Sequence, residues 1–589
     1  MSMDPSNPQW ASPVEAPLIV ESAQVQGWDE AADLVVVGYG GAGVAAALEA
    51  AEHGVDVVAF DRYEGGGSSA ANGGVFYAGG GTKIQRDAGV EDSAEEMFKY
   101  LRIETEGVVS DETLRAFCEE SPATIDWLLA HGARLSSSGV FRRKVSYPPL
   151  KYHLYHPDNS LVPAYAARAV PAARGHRTAV ENRGKAWGLG WGIWQPLAAA
   201  AAARGVRFHK YTEVRQLVLD RAGTVLGVKA LAIPADSAAA RRFERYIRRA
   251  NWLLELLPPV IPLAALTIGL ARRYLAAASR IEAEQRVTRF IRARRGVLLS
   301  AGGFILNSAM VEHYAPLYRR GLPNGTLGDT GSGIRLGQSV GGAVGSMDRV
   351  TGWCMINPPA AWPRGIVVNK HGARICHEGV YGSTLGDAVA HSPDGVAFLV
   401  IDEALYREGR RQIAPGAEFV NYQRQVARLN MLMNRTTAAT PEALAQAVGI
   451  DPAGLRASID AYSRAARGEI PDVVGKSREE ISALEQTPLH AIDISVHSRY
   501  FPMPMLTLGG LKVDERSGQV RREDGSLIGG LYAAGRSAVG ICSNVYMSGL
   551  AYADCIFSGR RVARSIAGAA AAESGPRRYL SPQPGAQPA

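Results

Sequence analysis

Six consecutive residues, Gly38-Tyr39-Gly40-Gly41-Ala42-Gly43, have the types and spacing to hold a diphosphate. Gly38 permits a tight turn, Gly40 lets the backbone reach a pyrophosphate, and Gly43 lets a helix pack closely on a strand. The whole loop, Gly41 and Ala42 included, is a candidate nucleotide contact. Asp61 follows at the distance where a carboxylate accepts from a ribose hydroxyl. Directly after it comes Gly65-Gly66-Gly67-Ser68-Ser69-Ala70-Ala71-Asn72-Gly73-Gly74. Backbone N–H groups and hydroxyls in this second loop, at Ser68, Ser69, Gly73 and Gly74, suit a diphosphate and a flavin ring. The pair of loops favours FAD over NAD.

Such loops need elements to aim them. The run Leu34-Val35-Val36-Val37 predicts a strand buried on both faces of a parallel sheet. An Ala-rich helix is expected over Val44 to His53, stopped by Gly54, and a second strand over Val55 to Phe60 ends in Asp61. With 589 residues, the chain needs two or more domains. Hydrophobic residues at 47% and charged residues at 21% describe a globular protein. The five cysteines show no CxxC pair, which predicts free thiols in a reducing, cytoplasmic setting. The net charge of +7 is concentrated at Arg241, Arg242, Arg245, Arg248, Arg249, Arg272 and Arg273. These arginines flank an apolar segment, which suggests an anionic membrane surface. No zinc spacing or aromatic-interleaved basic groove is present, so neither a metal nor a nucleic acid is expected.

With these motifs in place, the chain resembles the flavoprotein superfamily of fumarate reductase and succinate dehydrogenase flavin subunits, which includes the ketosteroid dehydrogenases. Leu298-Leu299-Ser300-Ala301-Gly302-Gly303-Phe304 resembles the strand that returns to the adenosine end of FAD. Gly328-Asp329-Thr330-Gly331-Ser332-Gly333, Thr507-Leu508-Gly509-Gly510 and Gly530-Leu531-Tyr532-Ala533-Ala534-Gly535-Arg536 match further motifs of the superfamily. The resemblance implies an α/β fold: a discontinuous Rossmann-like FAD-binding domain over 30–307 and 506–570, with an α+β capping domain inserted at 308–505. Residues 1–29 and 571–589 are expected to be flexible tails. Ala301, Gly302 and Gly535 join the expected FAD contacts. No His stands in the Ser68–Gly74 loop, so the resemblance implies noncovalent FAD.

Three positions separate this chain from the dicarboxylate branch. Where those subunits carry Arg, His and Arg, this chain has Tyr381, Leu506 and Tyr546. A dicarboxylate here would leave charge unpaired in an apolar pocket, at several kcal/mol per charge. Two tyrosines suit a neutral ketone. Tyr546-Met547-Ser548-Gly549 and the segment Gly73 to Thr82 resemble the 3-ketosteroid Δ4-(5α)-dehydrogenases. The implied reaction removes hydride from C5 to flavin N5 and a proton from C4 to Tyr546, giving a 4-ene-3-ketone. Ser548 is expected to hydrogen-bond the Tyr546 oxygen, and Tyr381 to donate to the 3-keto oxygen or support Tyr546. Backbone N–H groups of Gly549 and Leu550 are expected at the flavin pyrimidine edge. His377 and His176 read as structural. A 3-ketosteroid Δ1-dehydrogenase, another enone-forming flavoenzyme, and a membrane-docked electron-transfer flavoprotein stay open. The residues do not identify the electron acceptor.

About sixty residues, 234–290, stand where the superfamily usually has a short connection. Their apolar middle is cut by Pro258, Pro259 and Pro262 into halves of seven or eight residues. Each half is about 12 Å long as helix against a hydrocarbon core of about 30 Å. A hairpin dipping into one leaflet is expected, with Trp252 and the arginines at the headgroups and a lipophilic substrate entering from the bilayer. An oligomer interface or a local core is the other reading of this segment.

Overall fold

The computed structural model describes residues 14–21, 27–143, 147–180, 188–256, 264–414 and 421–574. Five parallel strands form its centre. They run in the order Arg207–His209, Val57–Phe60, Glu30–Val37, the second half of Val287–Leu299, and Leu527–Ala533. Leu34 to Val37 are buried, as a strand covered on both faces requires. These strands come from distant parts of the chain, so the FAD-binding half is discontinuous and α/β, as expected.

Helix Gly41–Glu52 follows the first of these strands and packs against helix Leu550–Ser574. A Cβ on Gly559 would lie 2.3 Å from the Ala42 carbonyl oxygen, so this crossing requires glycine. Glu49 secures the pair, accepting from Arg560 Nε at 2.7 Å and Arg564 Nε at 2.8 Å. Burial alone would raise the Glu49 carboxyl; the two guanidiniums outweigh it and hold the group below the usual range.

Thr212–Leu219 and Val225–Ala232 extend the sheet antiparallel onto the first half of Val287–Leu299. Leu18–Ile19 pairs with Val218 and Leu219 on the sheet edge, and Val14 is buried. This corrects the flexible tail expected over 1–29: an exposed edge strand offers unpaired backbone groups, and the N-terminal segment takes them. The closing helix likewise runs to Ser574, past the tail boundary expected at 571. The rest of both tails, 1–13, 22–26 and 575–589, lies outside the described residues.

Over the centre sits a second unit. Its antiparallel sheet runs Ile366–Asn369, Ala397–Ile401, Leu489–Asp493, Arg435–Ala438 and carries helices Glu403–Gln412, Pro441–Val448 and Pro452–Arg467. It is the α+β cap, and its apolar core is continuous with one face of the central sheet.

The insertion is a helical hairpin. Ala238–Leu256 and Ala264–Gln285 pack along each other above the Ala232–Val287 strand pair. These helices, 19 and 22 residues long, are far longer than the expected halves. The reason is periodic: Ala239, Phe243, Ile247, Ala250 and Leu253 recur at helical spacing and are buried, as are Ala264, Ala271 and Ala278. Pro258, Pro259 and Pro262 lie outside the described residues. Among the described residues, no helix is long and apolar enough to cross a membrane. An ion network pins the base of the hairpin. Arg62 grips Glu282 with two 2.9 Å hydrogen bonds and reaches Glu213 at 3.3 Å, while Arg286 pairs with Glu213 at 2.8 Å. Tyr63 stacks on Phe243 beside it.

Candidate active site

The first glycine loop does what its residues predict. Gly38 has φ 97°, and a Cβ there would lie 2.5 Å from Ala301 Cα; one on Gly43 would lie 2.1 Å from the Gly38 carbonyl oxygen. Only glycine allows both approaches. A Cβ on Gly40 would meet only Gly66 O, at an ordinary contact distance of 3.8 Å. The Gly41 N–H donates to Ser69 Oγ at 3.1 Å, joining the two loops. Asp61 accepts from the N–H groups of Tyr39 at 3.0 Å and Tyr63 at 2.8 Å. Burial pushes its carboxyl up, and the backbone donors oppose that.

Asp329 is a hub that the sequence motifs contained but did not single out. It accepts from the Ser68 hydroxyl, from Thr326 N–H at 2.9 Å and from Gly303 N–H at 3.2 Å, and it pairs with Arg536 Nη2 at 2.5 Å. It thereby holds the Ser68 loop, the Ala301-Gly302 turn and the Gly535-Arg536 turn in one place. Ser537 Oγ adds a 3.1 Å bond to Gly302 O, and Gly535 N–H donates to Ser558 Oγ at 3.0 Å. Arg536 Nη1 is buried with no hydrogen-bond partner. That unpaired donor, the room for a side chain left beside Gly40 and the carboxylate of Asp61 fit bound FAD.

At the other end of this site the chain gathers phenols. Gly549, at φ 90°, accepts from Tyr77 N–H at 3.2 Å and closes the turn that starts at Tyr546. Within that turn the Leu550 N–H donates to Met547 O at 3.0 Å, and the Gly549 N–H faces the Tyr546 phenol. These donors, expected at the flavin, have partners within the turn, because a buried N–H must be satisfied. Gly73 and Gly74 lie alongside: Tyr147 donates to Gly73 O, and a Cβ on Gly74 would lie 2.3 Å from Thr178 Oγ1.

Ser548 is buried and accepts from Tyr155 Oη at 3.1 Å, with the Tyr381 phenol close beside it. The expected partner was Tyr546. Instead the Tyr546 ring packs edge-on against Trp353 with centroids 4.6 Å apart, near Tyr147, Tyr155 and Tyr381. The correction follows from the turn, which carries the alternate residues Tyr546 and Ser548 to different neighbours. Tyr381 caps helix Gly382–Ala390 of the capping unit, and its N–H donates to Asn159 at 2.6 Å. The cluster therefore joins the cap to the FAD-binding half.

Arg177 lies behind it, fully buried, 4.4 Å from the Tyr147 ring centre and 5.3 Å from that of Tyr155. Its Nη1 and Nη2 donate to the carbonyls of Pro148, Pro149 and Tyr152, while its buried Nε has no hydrogen-bond partner. Tyr147, Tyr155 and Arg177 were not anticipated; three tyrosines within nine residues, Tyr147 to Tyr155, were the signal available.

Burial pushes the phenols of Tyr381, Tyr546 and Tyr155 above the ordinary value. Each is a neutral donor at neutral pH, able to bond a carbonyl oxygen; Tyr546 can serve as a base only once its own proton has left, which burial makes costly. A cavity of about 240 Å³ opens beside Tyr381, lined by the apolar Leu161, Val162, Ile356 and Val380 and by the charged Asp158, Arg364, Glu378 and Lys476.

Of the histidines, His176 is buried with Nε2 on Thr82 Oγ1 at 2.9 Å and Nδ1 on Arg174 O at 3.0 Å, and burial lowers it to about 4. His377 Nδ1 accepts from Gly379 N–H at 3.0 Å. His377 Nε2 lies 3.7 Å from Glu480 Oε2, and both residues line the cavity beside Tyr381. All five cysteines are free, and among the described residues no group of His, Cys, Asp and Glu could hold a metal.

Comparison with known proteins agrees with this geometry. The FAD binding domain family model matches residues 33–549. A 3-oxo-5-alpha-steroid 4-dehydrogenase from Comamonas testosteroni is 36% identical over 89% of this chain and 96% of its own. The crystal structure of a 3-ketosteroid-Δ4-(5α)-dehydrogenase from Rhodococcus jostii, in complex with 4-androstene-3,17-dione, superposes with TM-score 0.74. It is 29% identical, over 94% of this chain and all of that one. A 3-ketosteroid Δ1-dehydrogenase structure from Sterolibacterium denitrificans, 20% identical with TM-score 0.62 over 92% of this chain and all of that one, shares the fold.

Proposed function

The chain belongs to the FAD binding domain family of flavoprotein oxidoreductases, as does its 3-oxo-5-alpha-steroid 4-dehydrogenase relative, and we propose that it dehydrogenates 3-ketosteroids between C4 and C5. The observation that carries this reading is the uncharged hydroxyl cluster of Ser548, Tyr155, Tyr381 and Tyr546, with Tyr381 and Tyr546 standing where the dicarboxylate branch carries Arg. A neutral ketone is the substrate that such a lining can pair.

The 38–43 and 65–74 loops, Asp61, Ala301, Gly302 and the Asp329–Arg536 pair would hold FAD, which would supply at N5 the acceptor for the hydride leaving C5. The protein handles the proton and the carbonyl. Tyr381 donates to the 3-keto oxygen, where negative charge develops as the C4–H bond breaks; its raised pKa keeps it protonated for that task. Tyr546 accepts the C4 proton as its phenolate, formed by prior loss of its own proton to solvent; burial makes that form costly, so turnover is favoured by rising pH. Ser548 and Tyr155 hold Tyr381 in position from the FAD side.

Incubating the flavoprotein with a 5α-reduced 3-ketosteroid and a dye acceptor, then assigning the product by NMR, tests the proposal. A 4-ene-3-ketone is expected. A C1–C2 double bond would make the enzyme a Δ1-dehydrogenase. Dye reduction without ketone turnover would favour an electron-transfer flavoprotein, and faster turnover of succinate would end the ketone reading.

A further inference from the structure

The inserted hairpin is anchored at one end only. Near its base, Phe243, Ile247, Ala278 and Ile281 are buried, and the Arg62–Glu282 pair locks it to the loop after Asp61. Toward the outer end the buried set shrinks to small or single contacts: Ala250, Leu253, Ala264 and Ala271. Around them Trp252, Leu254, Leu256, Leu266 and Leu270 are exposed, Trp252 by 59% and Leu266 by 71%. These five are among fourteen exposed large hydrophobics of all the described residues, so exposed apolar surface is concentrated here.

Charge surrounds that apolar end. Arg241, Arg245, Arg248 and Arg249, with Glu244 and Trp252, line a cleft of 460 Å³. Arg248 is paired to Glu64 and Glu244, whereas the exposed Arg245, Arg272 and Arg273 have no ion pair among the described residues. A second copy of this chain, docked end to end, would bring these arginines against one another. An anionic bilayer meets both features: lipid phosphates face the arginines, and the interfacial zone takes the tryptophan and leucines.

We propose that the outer end of the 238–285 hairpin docks on anionic membranes. Trp252, Leu254, Leu256, Leu266 and Leu270 enter one leaflet, while Arg245, Arg249, Arg272 and Arg273 contact lipid phosphates. The FAD-binding half is held above the surface by the ion network at the hairpin base. The proposal does not depend on the substrate reading.

The test is co-sedimentation of the full-length flavoprotein with phosphatidylcholine vesicles, with and without phosphatidylglycerol, at low and high salt. The wild-type chain is expected on the anionic vesicles and to be released by salt. Replacing Arg245, Arg249, Arg272 and Arg273 together with Gln should weaken binding by two orders of magnitude or more, at about fivefold per arginine. Replacing Trp252, Leu266 and Leu270 with Ser should also abolish binding, with flavin content and thermal midpoint unchanged in both variants. Wild-type protein left in the supernatant with both vesicle types would overturn the proposal. So would binding indifferent to both sets of substitutions, or a dimer in light scattering that the Ser variant dissolves.

Discussion

Replacing Tyr546 with Phe removes one oxygen and leaves its surroundings in place. The ring still packs edge-on against Trp353, and only the contact between the phenol and the Gly549 N–H is lost, worth about 1 kcal/mol of stability. Fold and FAD content should therefore survive. Catalysis should not. A free phenol titrates near 10, and burial pushes Tyr546 higher, so at pH 8 its phenolate lies at least about 2.7 kcal/mol uphill. If the C4 proton passes to that oxygen, the wild-type rate of flavin reduction should rise as pH rises, by up to about tenfold per unit between about pH 7 and 9 and with no plateau. Tyr546→Phe should lower that rate by about 10²- to 10⁴-fold and remove the pH slope. Anaerobic stopped-flow bleaching of the flavin by a 5α-reduced 3-ketosteroid reads both quantities. A wild-type plateau below about pH 8 would mean a lowered pKa and contradict the burial argument. A Phe variant within about threefold of wild type would remove Tyr546 from the chemistry altogether.

Three further outcomes follow from contacts described above. Tyr155→Phe deletes the donor to Ser548 and should lower kcat by up to about tenfold with KM little changed, the size of one neutral hydrogen bond; steady-state kinetics checks it. Gly43→Ala places a methyl 2.1 Å from Gly38 O, so the variant should purify largely without yellow colour, read from the ratio of flavin to protein absorbance. Glu104, buried against Tyr100 and Asn159, is pushed up to about 7 by burial. A folded-state pKa above the unfolded value means stability present at low pH and lost as pH rises through about 7, roughly 3 kcal/mol in all. Glu104→Gln should flatten that decline in urea melts between about pH 5 and 8; a parallel decline in both proteins would discount Glu104 as its source.

The parts of this protein that the sequence alone determined are those whose requirements are local. Positive φ at Gly38, a bare Cα at Gly43, a strand buried on both faces at Leu34 to Val37 and a carboxylate at Asp61 are each stated by one residue type at one spacing. The loss of charge at positions 381, 506 and 546 was equally plain, and with it the neutral character of the site. Tertiary structure decided who meets whom. Ser548 finds Tyr155 nearly four hundred residues away and Tyr381 from the cap, Asp329 joins three turns, and Arg177 gives its donors to carbonyls. Hydrogen-bond partners depend on which backbones the packed core brings within 3 Å, and no local spacing encodes that. The hairpin shows the same division. Its apolar middle and arginines are visible in the chain, but the length of its helices came from small residues burying against each other, and its attachment from Glu213 and Glu282 closing on Arg62.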